Sequence, residues 1–405
     1  MEEKFSYIER FKKLGYGIFV HFGLYSVLGR GEWIRTMDPK LDVAKYEALP
    51  SRFKIRKGWA SELAKTAKAS GARYITLTTR HHDGFSLYDT CGMSTFDAPH
   101  AACGRDLIRE FTDACRAEGL VPFFYHTLLD WHNPDYRENF PKYLDYLIES
   151  VEILCKNYGK IGGLWFDGMW DKPNADWQED RLYATIRKYQ PEAMIINNTG
   201  LSELGKVGHP ELDSVTFERG KPRFVDCSDK PRAGEMCQVL NDHWGYAKQD
   251  CNYKSVGELI ENLVDCRACN CNFLLNTGLM GNGAVNPTDK ALLKEIGKFI
   301  RANKNFLFDV RKADIPCEGG VAMSDKNKLY IVVKNVPMSA DPNVAMLTEK
   351  KEVKLGKAIK VRRAYWLDSG EKIELSDNGF AVRPFCYGVS LSARVACLEC
   401  AEDEK

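Results

Sequence analysis

Eight short runs of apolar and β-branched residues recur along the first three quarters of the chain, and this recurrence restricts the fold more than any other feature. They fall at residues 16–21, 74–79, 121–126, 163–168, 193–198, 214–218, 236–241 and 272–278. Apolar runs without strict alternation read as strands buried on both faces of a parallel sheet. Helical periodicity separates several of them, carried by Trp59, Leu63 and Ala67, then Leu107, Ile108, Phe111 and Cys115, then Tyr143, Leu147, Val151 and Leu154, then Leu182, Ile186 and Tyr189. Ser255 with Glu258 three residues on forms a capping box ahead of Leu259, Ile260 and Leu263, and Pro287 opens a last helix carrying Leu292, Leu293, Ile296 and Ile300. The alternation predicts an α/β fold of the (β/α)8 type. The ring of helices should be incomplete, because 199–213 and 219–235 offer glycine, proline and charge but no helical period.

At 405 residues the chain is longer than one hydrophobic core usually grows, so a second domain is expected. After Phe306 the texture changes to strand-like runs at 329–334, 359–367, 372–375, 381–384 and 387–395, several broken by turns such as Asp368-Ser369-Gly370 and Asp377-Asn378-Gly379. The reading is a barrel-like catalytic domain over 1–305 and a small C-terminal β-sandwich domain over 306–405.

Lysine plus arginine (57) nearly cancels aspartate plus glutamate (56), which leaves no field to gather nucleic acid or anionic lipid. No apolar stretch approaches the roughly 18 residues of a membrane span, and the N-terminal residues lack an apolar core behind a basic start, so a cytoplasmic protein is expected. The 14 cysteines are scattered, and Cys115 and Cys155 fall on apolar helix faces, which fits reduced, buried thiols. Cys269-Asn270-Cys271 and Cys397-Leu398-Glu399-Cys400 resemble metal pairs, but a structural zinc needs four ligands at suitable spacing. Neither a metal nor a cofactor is called for, and nothing in the sequence fixes an oligomeric state.

A barrel of this kind works at the C-terminal ends of its strands. Those ends are polar throughout. Strand one ends in His21, strand two runs into His81-His82-Asp83, strand three ends in Tyr125-His126, and strand four in Trp165-Phe166-Asp167. Strands five to eight bring Asn197-Asn198, Glu218, Asn241 and Asn276. Asp167 and Glu218 each follow a strongly apolar approach and should project into the mouth. Two facing carboxyl groups are the minimum equipment for glycoside hydrolysis. Trp33, Tyr125, Trp131, Trp165, Trp170, Trp244 and Tyr246 could pack on the apolar faces of a sugar ring.

These residues carry a family resemblance. The segments 17–27 (GIFVHFGLYSV), 31–33 (GEW), 79–85 (TRHHDGF), 104–107 (GRDL), 164–168 (LWFDG) and 244–246 (WGY) are similar, in order, to the α-L-fucosidases of glycoside hydrolase family 29. The resemblance implies a retaining exo-α-L-fucosidase acting on fucosylated glycans or oligosaccharides, with Asp167 as nucleophile. It also implies that His21, Glu32, Trp33, His81, His82, Tyr125 and Trp165 hold the fucose ring; His126 and Trp244 join them as candidates from their place at the mouth. Glu218 resembles the acid/base position of some members. Glu235 and Glu32 stay open as alternatives, although Glu235 falls near the start of the seventh run, at the wrong end of the barrel. Thr199 stands where members often carry arginine, and Cys266 to Cys271 replace a glycine-rich approach to strand eight.

Two other classes compete. His21, His81, His82, His126 and Asp167 could hold a divalent metal that activates water, but strand one lacks the HxH pair such barrels often use. A non-catalytic sugar-binding protein on a hydrolase barrel is the third reading, and the presence of both carboxylates argues against it.

Overall fold

A computed structural model describes residues 5–199, 205–225, 227, 229–336, 350–385 and 393–401. Eight parallel strands close into a barrel: β1 Tyr16–His21, β2 Tyr74–Arg80, β3 Val121–Thr127, β4 Gly163–Asp167, β5 Met194–Asn197, β6 Ser214–Thr216, β7 Ala233–Val239 and β8 Cys271–Gly278. Closure is made by β1 against β8, in register from Tyr16 opposite Phe273 to His21 opposite Gly278. The strands are buried almost throughout, as their unbroken apolar runs require.

Helices Trp59–Ala69, Leu107–Ala117, Phe140–Asn157, Glu179–Tyr189, Val256–Ala268 and Pro287–Ala302 stand where the periodicity put them. Ser255 caps Val256–Ala268 by accepting from the Glu258 N–H at 3.1 Å. Among the described residues no helix lies between β5 and β6 or between β6 and β7, so the ring is incomplete where glycine, proline and charge replace the helical period.

One further helix, Ser6–Leu14, precedes the barrel. Its buried face of Tyr7, Ile8 and Phe11 packs with Tyr74, Phe123, Met194, Ala233 and Leu274 in one core cluster. Since Tyr74, Phe123, Met194 and Ala233 sit near the N-terminal ends of their strands, the helix stops the end of the barrel opposite the mouth. Tyr7 also donates its hydroxyl to Asp213 at 3.0 Å. That buried carboxylate receives the Ile195 N–H and the Arg187 guanidinium as well.

The chain packs into two compact units, 1–253 with 272–294 and 254–271 with 295–405. Helix Val256–Ala268 and the later part of Pro287–Ala302 therefore group with the second unit, whereas the sequence reading places the division at 305/306. Arg267 is part of the reason: buried in its helix, it donates to the Leu307 carbonyl at 3.0 Å and to that of Cys271 at 2.8 Å. The second unit contains two antiparallel sheets. Val361–Trp366, Ala393–Cys400, Lys328–Lys334, Val321–Asp325 and Arg311–Lys312 form one; Cys317–Glu318, Lys351–Leu355, Gly379–Val382 and Leu375–Ser376 form the other. Leu329, Ile331, Val333, Trp366 and Leu398 from the first meet Val353, Leu355, Phe380 and Val382 from the second, giving the sandwich core. Part of the expected last strand, 387–392, and the charged tail 402–405 lie outside the described residues.

Among the described residues no helix is long and apolar enough to cross a membrane, and no group of three or more His, Cys, Asp or Glu is placed to hold a metal ion. Cys115 and Cys155 are free and buried.

Candidate active site

The mouth of the barrel holds one cavity lined by Phe19, His21, Trp33, His81, His82, Tyr125, Trp165, Asp167, Trp170, Asn198, Glu218, Cys237 and Trp244, about 110 Å³ in volume. Asp167, the last residue of β4, enters it from the sheet. Gly168 follows at φ 97°, where a β-carbon would come within 2.7 Å of Leu129, so glycine allows the chain to leave the strand sharply. That turn brings the Trp170 indole N–H back to Asp167 Oδ1 at 3.2 Å, while Tyr125 donates its hydroxyl to Oδ2 at 3.1 Å. His82 Nε2 stands 3.5 Å from the same Oδ2.

Glu218 lies two residues beyond β6, which ends at Thr216 rather than running to Glu218 as the apolar pattern suggested. The backbone still follows β7, because the N–H groups of Phe217 and Arg219 donate to the carbonyls of Glu235 and Cys237, both at 2.9 Å. Burial and the nearby Asp167 raise the Glu218 pKa above its ordinary value; the bond from Asn198 pulls the other way.

The histidines are neutral. Burial, with neighbouring His82 and Arg219 in support, brings His21 down to about 3, against a bond to Asn276. Its Nδ1 lies 2.6 Å from Asn276 Oδ1, and Asn276 Nδ2 donates to the Trp244 carbonyl at 2.7 Å. The amide is thereby oriented, His21 Nδ1 carries the proton, and Nε2 is left as an acceptor. His81 falls well below its usual value through burial and the nearby histidines, and its buried Nδ1 finds no partner among the described residues. His82 is lowered by burial while Asp167 draws it back up. The Thr127 hydroxyl, which donates to the Leu129 carbonyl at 2.5 Å, receives His82 Nδ1 at 2.7 Å.

Of the further aromatics expected at the mouth, Trp170 lines the cavity, and Trp131 and Tyr246 do not. Of the residues expected to catalyse or to hold the fucose ring, His21, Trp33, His81, His82, Tyr125, Trp165, Asp167, Glu218 and Trp244 are brought together there. Two are not. His126 is a correction to its expected place at the mouth: neighbouring strand residues face opposite ways, so with Tyr125 inward His126 points outward. There its Nε2 accepts from the buried Arg80 at 2.7 Å and its Nδ1 donates to the Thr127 carbonyl at 2.8 Å. Glu32 stands behind the wall. It is buried and accepts the Gly245 N–H at 2.7 Å, tying the loop of Trp33 to that of Trp244.

Glu235 is inside the barrel, because β7 begins at Ala233, three residues earlier than its apolar run suggested. It accepts the Trp165 indole N–H at 3.0 Å and the Tyr74 hydroxyl at 2.5 Å, beneath the cavity. Burial pushes its pKa up to about 7 against these bonds.

Sequence reasoning passed over Phe19, Cys237 and Arg219, and named Asn198 only as a polar strand end. Phe19 and Cys237 face inward one pleat below the mouth, a position legible from the period of two. Arg219 holds a left-handed φ of 50°, places its guanidinium 5.1 Å from the centre of the Trp244 ring, and donates to the Asp242 carbonyl at 3.0 Å. No sequence pattern announces that conformation.

A family model described as Alpha-L-fucosidase matches residues 2–305, three quarters of the chain and all of the barrel. The chain belongs to the alpha-L-fucosidase family. It is therefore a member of a family of glycoside hydrolases, with the barrel and C-terminal sheets found in fucosidase structures. Among solved structures, alpha-L-fucosidase isoenzyme 1 from Paenibacillus thiaminolyticus is 30% identical with a TM-score of 0.82, covering 98% of this chain and 100% of that one. Alpha-L-fucosidase AlfC from Lactobacillus casei, determined with alpha-L-fucose product, is 26% identical with a TM-score of 0.65 over 74% of this chain and 99% of its own. A putative alpha-L-fucosidase of Caenorhabditis elegans is 27% identical over 326 residues, which is 73% of this chain and 65% of the worm protein. The match thus spans just under two thirds of that relative's length.

Proposed function

We propose that this fucosidase-family protein is a retaining exo-α-L-fucosidase in which Asp167 attacks the anomeric carbon and Glu218 serves as acid, then base. The observation that carries the reading is the shared amide of Asn198, whose Nδ2 lies 2.6 Å from Glu218 Oε2 and 3.4 Å from Asp167 Oδ1. Those two oxygens can be no further apart than the two lengths laid end to end, a close approach that favours a retaining pair. Direct attack by a carboxylate suits such a spacing better than a water held between sugar and base does.

In the first step Asp167 forms an ester to C1 while the proton of Glu218 passes to the departing glycosidic oxygen. In the second step ionised Glu218 takes a proton from water, which attacks C1 and releases Asp167. The raised pKa of Glu218 suits it to begin protonated. The Tyr125 hydroxyl and Trp170 N–H steady the Asp167 carboxylate before attack.

Fucose as the sugar is supported by the neutral imidazoles of His21, His81 and His82, which can read hydroxyl groups without adding charge, and by aromatic walls. A fucosylated glycan or oligosaccharide ending in that sugar is the substrate class that fits. The small, partly enclosed cavity suits a single terminal ring rather than a long chain of sugars. The test is turnover of 4-nitrophenyl α-L-fucoside by parent and Asp167→Ala proteins. The variant should fold and lose several orders of magnitude in kcat, and azide should restore part of it as a fucosyl azide of inverted configuration. Parent-like activity in Asp167→Ala would end the assignment.

A further inference from the structure

Asn198 is more than a spacer between two carboxyl groups. It is buried, its backbone N–H donates to the Phe166 carbonyl at 2.9 Å, and its side-chain Oδ1 accepts the Thr216 hydroxyl at 2.9 Å. With Oδ1 so occupied, both N–H bonds of the amide are turned toward acceptors. One meets Glu218 Oε2 at 2.6 Å, and Asp167 Oδ1 lies 3.4 Å from the same nitrogen.

We propose that Asn198 is a positioning residue that serves the one negative charge of the catalytic pair in both halves of the reaction, keeping one N–H on Glu218 and the other turned toward Asp167 throughout. The inference rests on the two-carboxylate reading above. In that reading the resting pair is Asp167 carboxylate with Glu218 acid, and the covalent state is Asp167 ester with Glu218 carboxylate. The total charge is unchanged, but its seat moves. A donor fixed between the two groups, with one N–H for each, follows that move without rearranging. An aspartate of the same shape could not, since its carboxylate offers no donor and would add a third negative charge.

A second consequence concerns the proton. Oε2 of Glu218 receives the Asn198 N–H, so the acid proton sits on Oε1. Asn198 therefore selects which oxygen hands the proton to the leaving group.

The ionisable groups facing Glu218 are Asp167 on β4, Arg219 beside it, Glu32 from the loop after β1, Tyr125 on β3 and Cys237 on β7. Asn198→Ala leaves all of these in place and removes the donor, together with the acceptor of the Thr216 hydroxyl. The experiment compares the parent with Asn198→Ala, Asn198→Asp and Thr216→Val, the last removing only the hydroxyl that orients the amide. Full pH profiles of kcat and kcat/KM on 4-nitrophenyl α-L-fucoside are recorded beside thermal unfolding curves.

Loss of a donor to a carboxylate raises the pKa of that group, so both limbs of the kcat/KM profile should move to higher pH, by about one unit in Asn198→Ala and further in Asn198→Asp. At each variant's optimum kcat should fall roughly ten-fold to a hundred-fold with a smaller change in KM. Thr216→Val should move the same way by less, and it keeps the test open if an Asn198 variant fails to fold. Variants that lose activity with both limbs in the parent's position would show a merely structural role and overturn the proposal, provided Asp167→Ala is inactive. If Asp167→Ala retains parent activity, the two-carboxylate reading fails, and this inference with it.

Discussion

Replacing Glu235 by glutamine should remove a loss of stability that the barrel otherwise suffers as pH rises from 5 to 8. Buried beneath the cavity, the carboxyl titrates at about 7 in the folded protein against an ordinary 4.5. Between those values the folded protein holds a proton that the unfolded chain has released, so stability declines with rising pH through the window and levels off above about 7. That interval, at about 1.4 kcal/mol per pH unit, amounts to about 3 kcal/mol. Glutamine stays neutral throughout. Its carbonyl can accept the Trp165 N–H and its amide can donate to the Tyr74 oxygen, leaving at most the Tyr74 proton without an acceptor, a cost of about 1 kcal/mol that does not vary with pH. Asp83 and Asp289, raised by burial to about 6, bend the stability curve of parent and variant alike and cancel in the difference. Thermal unfolding at pH 5, 6, 7 and 8 reads the effect. At about 2 °C per kcal/mol, the parent should lose roughly 6 °C more than Glu235→Gln across the range. Parallel curves would mean that Glu235 is ionised in the folded barrel, and the account of a neutral carboxyl under Trp165 would be wrong.

Three further outcomes are expected. Glu218→Ala should abolish the basic limb of the pH profile, because no acid remains to lose its proton, and should spare dinitrophenyl fucoside, whose leaving group needs no protonation, far more than natural linkages; equal losses on both would remove Glu218 as the acid. α-L-Galactosides, which add one hydroxyl at the sixth carbon, should be cleaved roughly ten-fold to a hundred-fold less efficiently than matched fucosides, since the aromatic walls leave that hydroxyl unpaired at about 1 to 3 kcal/mol. Equal kcat/KM values would reopen the choice of sugar. His126→Ala should lower stability by about 3 kcal/mol, because it strips an acceptor from the buried Arg80, yet leave KM for the nitrophenyl fucoside within about two-fold; a large rise in KM would return His126 to the substrate site.

The barrel was legible because its strands are long apolar runs and most of its helices carry a clear period. The places where the reading slipped are those where local pattern is weakest. Strand β7 starts with Ala233, Gly234 and Glu235, none of which looks like a buried strand, yet Glu235 is accommodated inside by Tyr74 and Trp165. Those partners lie 161 and 70 residues away in sequence, where no window of periodicity reaches. His126 differs: the period of two, applied to the known inward partner Tyr125, already turns it away from the mouth. Asn198 could be seen as a polar strand end but not as a bridge, since its meaning depends on two carboxyl groups from other strands. The helix Ser6–Leu14 went unread although Tyr7, Ile8, Phe11 and Leu14 repeat at helical spacing.

That first helix also sets an order of assembly. It precedes every strand of the barrel in sequence, but the surfaces that hold it come from β2, β3, β5, β7 and finally Leu274 on β8. Vectorial synthesis therefore delivers the stopper long before the vessel it closes. Until the chain has been made as far as β8, the apolar face of Tyr7, Ile8 and Phe11 has no complete seat.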